Sequence, residues 1–213
     1  MKIVTSLAIC LLGASSLFGT TLVEKAKNSG LEAIPADKTK LMKMIDDKND
    51  PITKEKVELG KKLYFDPRLS RSGLISCNTC HNLALGGADG VPAAIGHGWT
   101  ANPHHLNSPT VYNSVFFKAQ FWDGRSPHLA DQAQGPVQAG PEMAAPPALV
   151  EQRINSIPEY VNEFKTAYGK DVKVDFAKIT ATIATFEKTL VTPSRFDKFL
   201  SGDEKALTKE EKE

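Results

Sequence analysis

The stretch LISCNTCHNLALGG (Leu74–Gly87) sets Cys77 and Cys80 two residues apart and follows them at once with His81. A C-x-x-C pair is open to three readings: a redox dithiol, half of a zinc site, or a thioether anchor for haem. A dithiol of the thioredoxin kind needs a strand-loop-helix context, and zinc needs partner ligands at matching spacing. His81 decides between them. C-x-x-C-H lets both sulfurs bond the haem vinyl groups while the adjacent imidazole ligates the iron, the signature of c-type attachment. Cys77 and Cys80 are therefore read as covalent haem anchors and His81 as the proximal iron ligand. The other ring nitrogen of His81 needs an acceptor to fix its orientation, and the sequence does not name one.

Upstream of the motif, DPITKEKVELGKKLYFDP has a plausible N-cap at Thr53, carries Val57, Gly60 and Tyr64 on one helical face, and stops at Asp66-Pro67. Two shorter helical pieces precede it, LVEKAKNSGLEAIP, stopped by Gly30 and Pro35, and DKTKLMKMIDD. Downstream, PALVEQRINSIPEYVNEFKTAYG reads as two helices broken at Pro158 and stopped at Gly169. Phe176, Ile179, Ile183, Phe186 and Leu190 then recur at three- and four-residue spacing, an amphipathic helix ending before Pro193. No run alternates as a strand does. The expected fold is all-α: a cytochrome c-like haem domain with long loop insertions and few or no strands.

The N-terminus, MKIVTSLAICLLGASSLFGTT, has Lys2, an apolar run from Ile3 to Leu12 and small residues around Ser15 to Thr20, the pattern of a secretory signal peptide over residues 1–20. The run is too short to span a bilayer, so the mature protein is expected to be exported and soluble. With Cys10 in that leader, Cys77 and Cys80 are the only cysteines of the remainder, which excludes a disulfide framework. The chain of 213 residues is 41% hydrophobic, enough for a core of ordinary size. Its formal charge of +1 becomes 25 basic against 25 acidic residues once Lys2 is removed, so no nucleic-acid partner or membrane surface is implied.

From Gly86 to Pro147 the chain is dense in Gly, Pro, Asn and His with little periodicity. A loop region this long needs a functional cause, and a ligand-lined pocket is the natural one. Any of its histidines, His97, His104, His105 or His128, could ligate haem iron in the neutral form, and chemistry alone does not choose among them. His97 lies between Gly96 and Gly98, which would let its backbone move; His104, His105 and His128 are read as ordinary loop residues. Met143 could also ligate haem, though packing is the favoured reading. Glu142, among Gly, Pro, Met and Ala, is a carboxylate whose pKa desolvation would raise. At the end, ALTKEEKE sets Glu211 three residues after Thr208, a capping box opening a helix of marginal length, with a frayed polar tail as the even alternative.

Taken together, LGKKLYFDPRLSRSGLISCNTCHNLALGG, GHGW, NSPTVYNSVF, QFWDGR, QAQGPVQAGPEM and TLVTPSRFDKFLSGDEKALTKEEK resemble, in order, the N-terminal haem domain of the bacterial dihaem cytochrome c peroxidases. The resemblance implies a peroxidatic haem domain over residues 21–200 and, at 201–213, the start of a second cytochrome c domain that is truncated here. It implies reduction of hydrogen peroxide to water in the periplasm, with electrons from a small cytochrome c or cupredoxin. One haem c is implied for this chain and two for the full-length family, with a possible homodimer. By the same resemblance His97 is the distal iron ligand of the resting state, which must leave before peroxide binds. Glu142 is the catalytic carboxylate that moves a proton during O–O cleavage, and Gln132 is its pocket neighbour. Trp122 is the electron relay between the two haems, and Asn107 a calcium ligand. The competing reading is a monohaem bis-histidine c-type cytochrome acting as an electron carrier, with no substrate chemistry.

Overall fold

A computed structural model describes residues 20–104 and 106–213. The leader at 1–19 and His105 lie outside the described residues. The helices are α1 (Leu22–Asn28), α2 (Lys38–Ile45), α3 (Lys54–Tyr64), α4 (Cys77–Cys80), α5 (Leu129–Gln132), α6 (Gln134–Gln138), α7 (Pro147–Asn155), α8 (Pro158–Tyr168), α9 (Phe176–Glu187), α10 (Arg195–Leu200) and α11 (Lys209–Lys212). Short 3-10 turns lie at Pro67–Leu69, Leu83–Leu85, Ser114–Phe116 and Glu204–Ala206. The fold is all-α. Extended pairing among the described residues is limited to isolated bridges such as Ile95 with Ala101 and Gln120 with Ser126. No helix among them is long and apolar enough to cross a membrane.

Two compact units emerge, residues 36–192 and a smaller one formed by 20–35 with 193–213. In the smaller unit α1 packs against α10, and Asp197 caps α10 while accepting a hydrogen bond from the Ile34 backbone at 2.7 Å. The capping box at the chain's end is formed. Thr208 N donates to Glu211 Oε2 at 2.8 Å and Glu211 N to Thr208 Oγ1 at 3.3 Å, so α11 is a helical turn rather than a frayed tail.

The larger unit is built on α3 and α9. Thr53 caps α3 as its sequence position predicts, its Oγ1 accepting from Lys56 N. Leu59, Leu63 and Tyr64 of α3 are buried against Ile179, Ile183 and Phe186 of α9. Gly60 sits where the helices are closest: a methyl there would overlap the Thr182 carbonyl and crowd Phe186 Cβ. Helix α8 begins with Pro158 at its first turn, where the missing N–H costs nothing. At the end of α3, Asp66 receives Arg68 and, at 2.6 Å, the Tyr160 hydroxyl of α8, a set of bonds that holds its carboxyl below the usual range against the cost of burial.

Helix α9 ends at Glu187, short of the Leu190 expected from periodicity. The backbone tightens there to three-residue bonds, Thr189 N to Phe186 O and Leu190 N to Glu187 O, and the Thr189 hydroxyl takes the Phe186 carbonyl at 2.7 Å. Leu190 still packs on the core, because a tight turn keeps it on the same side. The apolar repeat reports the buried face and not the helical bonds.

Gly60→Ala gains about 1 kcal/mol of helix propensity but must displace backbone at the crossing, where overpacking costs roughly 1–3 kcal/mol. Net destabilisation is expected, read as a lower denaturation midpoint than wild type; an equal or higher midpoint would refute the close-contact role of Gly60.

Candidate functional site

The short helix α4 is held from three sides. Ser76 N donates to Thr79 Oγ1 at 2.9 Å, starting the turn, and His81 N closes it on Cys77 O at 2.9 Å. The buried Tyr64, at the end of α3, donates its hydroxyl to the His81 carbonyl at 2.6 Å. The His81 ring is fixed separately. Its Nδ1 lies 2.9 Å from the Pro109 carbonyl, an acceptor only, so Nδ1 carries the proton and Nε2 keeps its lone pair. Desolvation lowers the pKa of this imidazole, favouring the neutral form a metal needs. Pro109, in NSPT, is the acceptor the sequence alone could not name.

Cys77, Cys80 and His81 open onto a cavity of about 550 Å³. Its apolar wall includes Ile75, Val111, Leu129, Val137, Met143 and Ile183. Met143 is also part of the hydrophobic core, as the packing reading expects. Gln132, the last residue of α5, and Glu142 line the same cavity. Glu142 is half-buried, and burial raises its pKa, partly offset by the positive charges of Arg125 and His104. Both of those residues also border the cavity.

His97 is not on the cavity lining. It sits in a turn tied by Asn102 N to Ala94 O and Gly96 N to Thr100 O, and its own N–H donates to the Glu142 carbonyl at 2.8 Å. The loop is docked there by Gly96: any Cβ would collide with the Pro141 carbonyl. Gly96 thus serves close approach rather than mobility, while Gly98 has open space about it. His104, given no role by the sequence, is among the described residues the histidine of this loop region that borders the cavity beside Glu142. His128 instead caps α5, its Nδ1 accepting from Asp131 N at 3.2 Å.

Trp122 stands at the cavity rim, 65% exposed, its indole N–H donating to the Asn107 carbonyl at 3.0 Å. The turn that presents it is closed by the Gln120–Ser126 bridge and by Arg125 stacked 3.5 Å from the Phe121 ring centroid. Phe121 adopts a left-handed φ of 69°, and its ring fits against Gly135, where a side chain would clash. Asn107 also borders the cavity, its amide donating to Val91 O at 2.6 Å. The side-chain oxygen is one donor of the six to eight that calcium takes.

One buried carboxyl on the cavity was given no role by the sequence. Glu187, the last residue of α9, is 7% exposed and lines the cavity, and its Oε2 has no hydrogen-bond partner among the described residues. Burial pushes its pKa up to about 8. A signal existed: Glu187 follows Ile183 by four residues and Ile179 by eight, which sets a carboxyl on the apolar stripe.

A family model described as di-haem cytochrome c peroxidase matches residues 54–205. The chain belongs to the di-haem cytochrome c peroxidase family. A cytochrome c551 peroxidase of Pseudomonas aeruginosa is 54% identical over 167 residues, 78% of this chain and 48% of the relative. The MauG methylamine utilization protein of Methylorubrum extorquens is 44% identical over 161 residues, 75% of this chain and 45% of that protein. A solved MauG-like protein associated with microbial copper homeostasis superposes with a TM-score of 0.68 at 29% identity, covering 76% of this chain and 47% of its own. The chain thus spans about half the length of the curated peroxidases it matches.

Membership in the di-haem peroxidase family implies haem c, and the residues fit it. Cys77 and Cys80 are free of any disulfide. Burial raises both thiols, Cys80 to about 11 and Cys77 further. Sulfurs held neutral are poor thiolate ligands for zinc and poor redox nucleophiles, whereas a thioether carries no charge. The cavity lies within the roughly 300–1,000 Å³ of cofactor sites.

Gly96→Ala is expected to undock the 94–102 turn and break the His97–Glu142 backbone bond. Amide hydrogen exchange should then rise across that turn, most at His97; unchanged exchange would show that the docking does not depend on Gly96.

Proposed function

We propose that this chain is the peroxide-reducing half of a two-haem peroxidase, carrying out H₂O₂ + 2e⁻ + 2H⁺ → 2H₂O. The observation that carries this reading is the shared cavity: the C-x-x-C-H residues line one enclosed space with Glu142 and Gln132. An electron carrier that binds no substrate has no use for a proton-transfer group in a substrate-sized space beside its haem.

Cys77 and Cys80 would bond the haem and His81 would ligate its iron, a group that would supply the redox chemistry. Glu142 takes a proton from the near peroxide oxygen and returns it to the far one, a transfer of the kind worth about 10²–10⁴ in rate. Its raised pKa, set by burial against Arg125 and His104, suits a group that must both accept and give a proton. Gln132 holds the peroxide or the carboxylate by hydrogen bonding. His97 is the resting-state distal ligand, which must leave before peroxide binds, and the docked position of its loop is held by its N–H on the Glu142 carbonyl. With the loop docked on Pro141–Glu142, the imidazole is away from the cavity and room is left for substrate.

The rest of the reading follows the family. Residues 1–20 are a signal peptide directing the protein to the periplasm, 21–200 the peroxidatic domain, and 201–213 the beginning of a second cytochrome c domain. That second domain would hold a second haem, which would supply electron entry from a small cytochrome c or cupredoxin, with Trp122 as the relay residue inward. Asn107 contributes one ligand to a Ca²⁺ site completed by the other half, and the whole enzyme is a homodimer.

Peroxide titration of the haem-loaded chain tests this. Wild type should show a rapid change in haem absorption, slowed by about 10²-fold or more in Glu142→Gln; equal rates would remove Glu142 from the reaction. His97→Ala should convert a low-spin resting spectrum to high-spin, and an unchanged spectrum would assign the distal position to another residue.

A further inference from the structure

Glu187 is a buried ionisable group on the cavity that the peroxide chemistry leaves unused. Its surroundings are poor in compensation. From α3 it is faced by the Tyr64 hydroxyl, which is committed to the His81 carbonyl. From α4 it is faced by Cys77, whose sulfur carries no charge once bonded to haem. Helix α5 brings Gln132 and Asp131, the latter accepting from Ser126 Oγ at 2.6 Å. Helix α6 has no ionisable side chain. On α7, Glu151 accepts from Phe176 N, and Arg153 donates to the carbonyls of Arg68, Ser70 and Arg71. On the cavity wall the Ser114 hydroxyl is bonded to Val111 O and the Gln120 amide to Ser114 O.

The carboxyl therefore meets no cation among these neighbours, and one of its oxygens meets no donor or acceptor. An ionised carboxylate so placed is costly, and any nearby positive charge weighs heavily on its proton affinity. The wall it shares with Cys77 faces the space where the porphyrin would lie. Reduction of ferric to ferrous haem removes one positive charge from that space.

We propose that Glu187 couples haem reduction to proton uptake: as one electron reaches the iron from a one-electron donor, the Glu187 carboxylate takes one proton from solvent, and on reoxidation it gives the proton back. The inference rests on the haem reading above. It makes Glu187 a tuning residue that acts through the haem and not on peroxide. The sign is fixed by charge: lower pH favours the protonated carboxyl and hence the reduced iron, so the midpoint potential rises as pH falls. Between the proton affinities of the two redox states the slope approaches one proton per electron, about 59 mV per tenfold change in proton concentration.

The test is a spectroelectrochemical titration of the full haem-loaded chain from pH 6 to 10, in wild type, Glu187→Gln and Glu142→Gln. The expected result is a sloping potential in wild type and Glu142→Gln, and a largely flat one in Glu187→Gln, whose side chain matches the protonated carboxyl in shape and charge. Equal slopes in wild type and Glu187→Gln would overturn the proposal. Should Glu187→Gln fail to fold, the Glu142→Gln protein labelled with ¹³C-glutamate decides. Its reduced-minus-oxidised infrared difference spectrum should contain a protonated-carboxyl band shifted by the label, and an unshifted or absent band is the contrary result. A colourless protein with two free thiols would instead sink the haem reading itself.

Discussion

The site depends on the crossing of α3 and α9 at Gly60. Because that residue has no side chain, the α3 backbone comes against the Thr182 carbonyl and Phe186, a separation that larger residues at the contact would widen. The consequences run one helical turn along each partner. On α3, Tyr64 is carried to where its hydroxyl reaches the His81 carbonyl; on α9, Ile183 and Glu187 are carried to the cavity wall. The haem-binding motif is thus hung from the helix pair, and the same pair closes one side of the space beside it. Packing at one glycine fixes His81 and the buried Glu187 carboxyl together.

The opposite side of the cavity is made by loops, and each is held by backbone rather than by a large core. Arg71 ties the segment before the motif to Met143 and Ala144 through its N–H and its guanidinium. Gly96 brings the His97 turn onto Pro141, and the His97 N–H completes the dock on Glu142. A few hydrogen bonds of about 1 kcal/mol each are strong enough to set the docked arrangement and weak enough to be exchanged for another.

Much of the fold was legible because its signals are local. Thr53, Pro158 and Gly169 mark helix ends by hydrogen-bonding capacity and backbone geometry that belong to the residue itself, and all three act there. C-x-x-C-H was legible for the same reason, since its three functional groups lie within five residues. What escaped depends on contacts distant in sequence. The acceptor for His81 is twenty-eight residues away at Pro109, and the reason for Gly96 lies at Pro141. The end of α9 escaped because Leu190 keeps the apolar repeat after the helical bonds have stopped. Glu187 was visible in that same repeat as a charge on an apolar stripe, but a periodicity read only for its apolar members passes over it.

Two glutamates on one cavity illustrate how environment divides labour between identical side chains. Both are raised by desolvation, yet Glu142 has Arg125 and His104 near it and Glu187 has no such cation. Glu142, on the loop wall, is raised by burial and partly offset by the positive charges of Arg125 and His104. Glu187, uncompensated and on the helical wall, has its protonation set mainly by whatever charge occupies the cavity. Groups whose surroundings push them apart in proton affinity take different roles. A poorly compensated carboxyl is the one whose proton affinity a charge brought into the cavity would shift most.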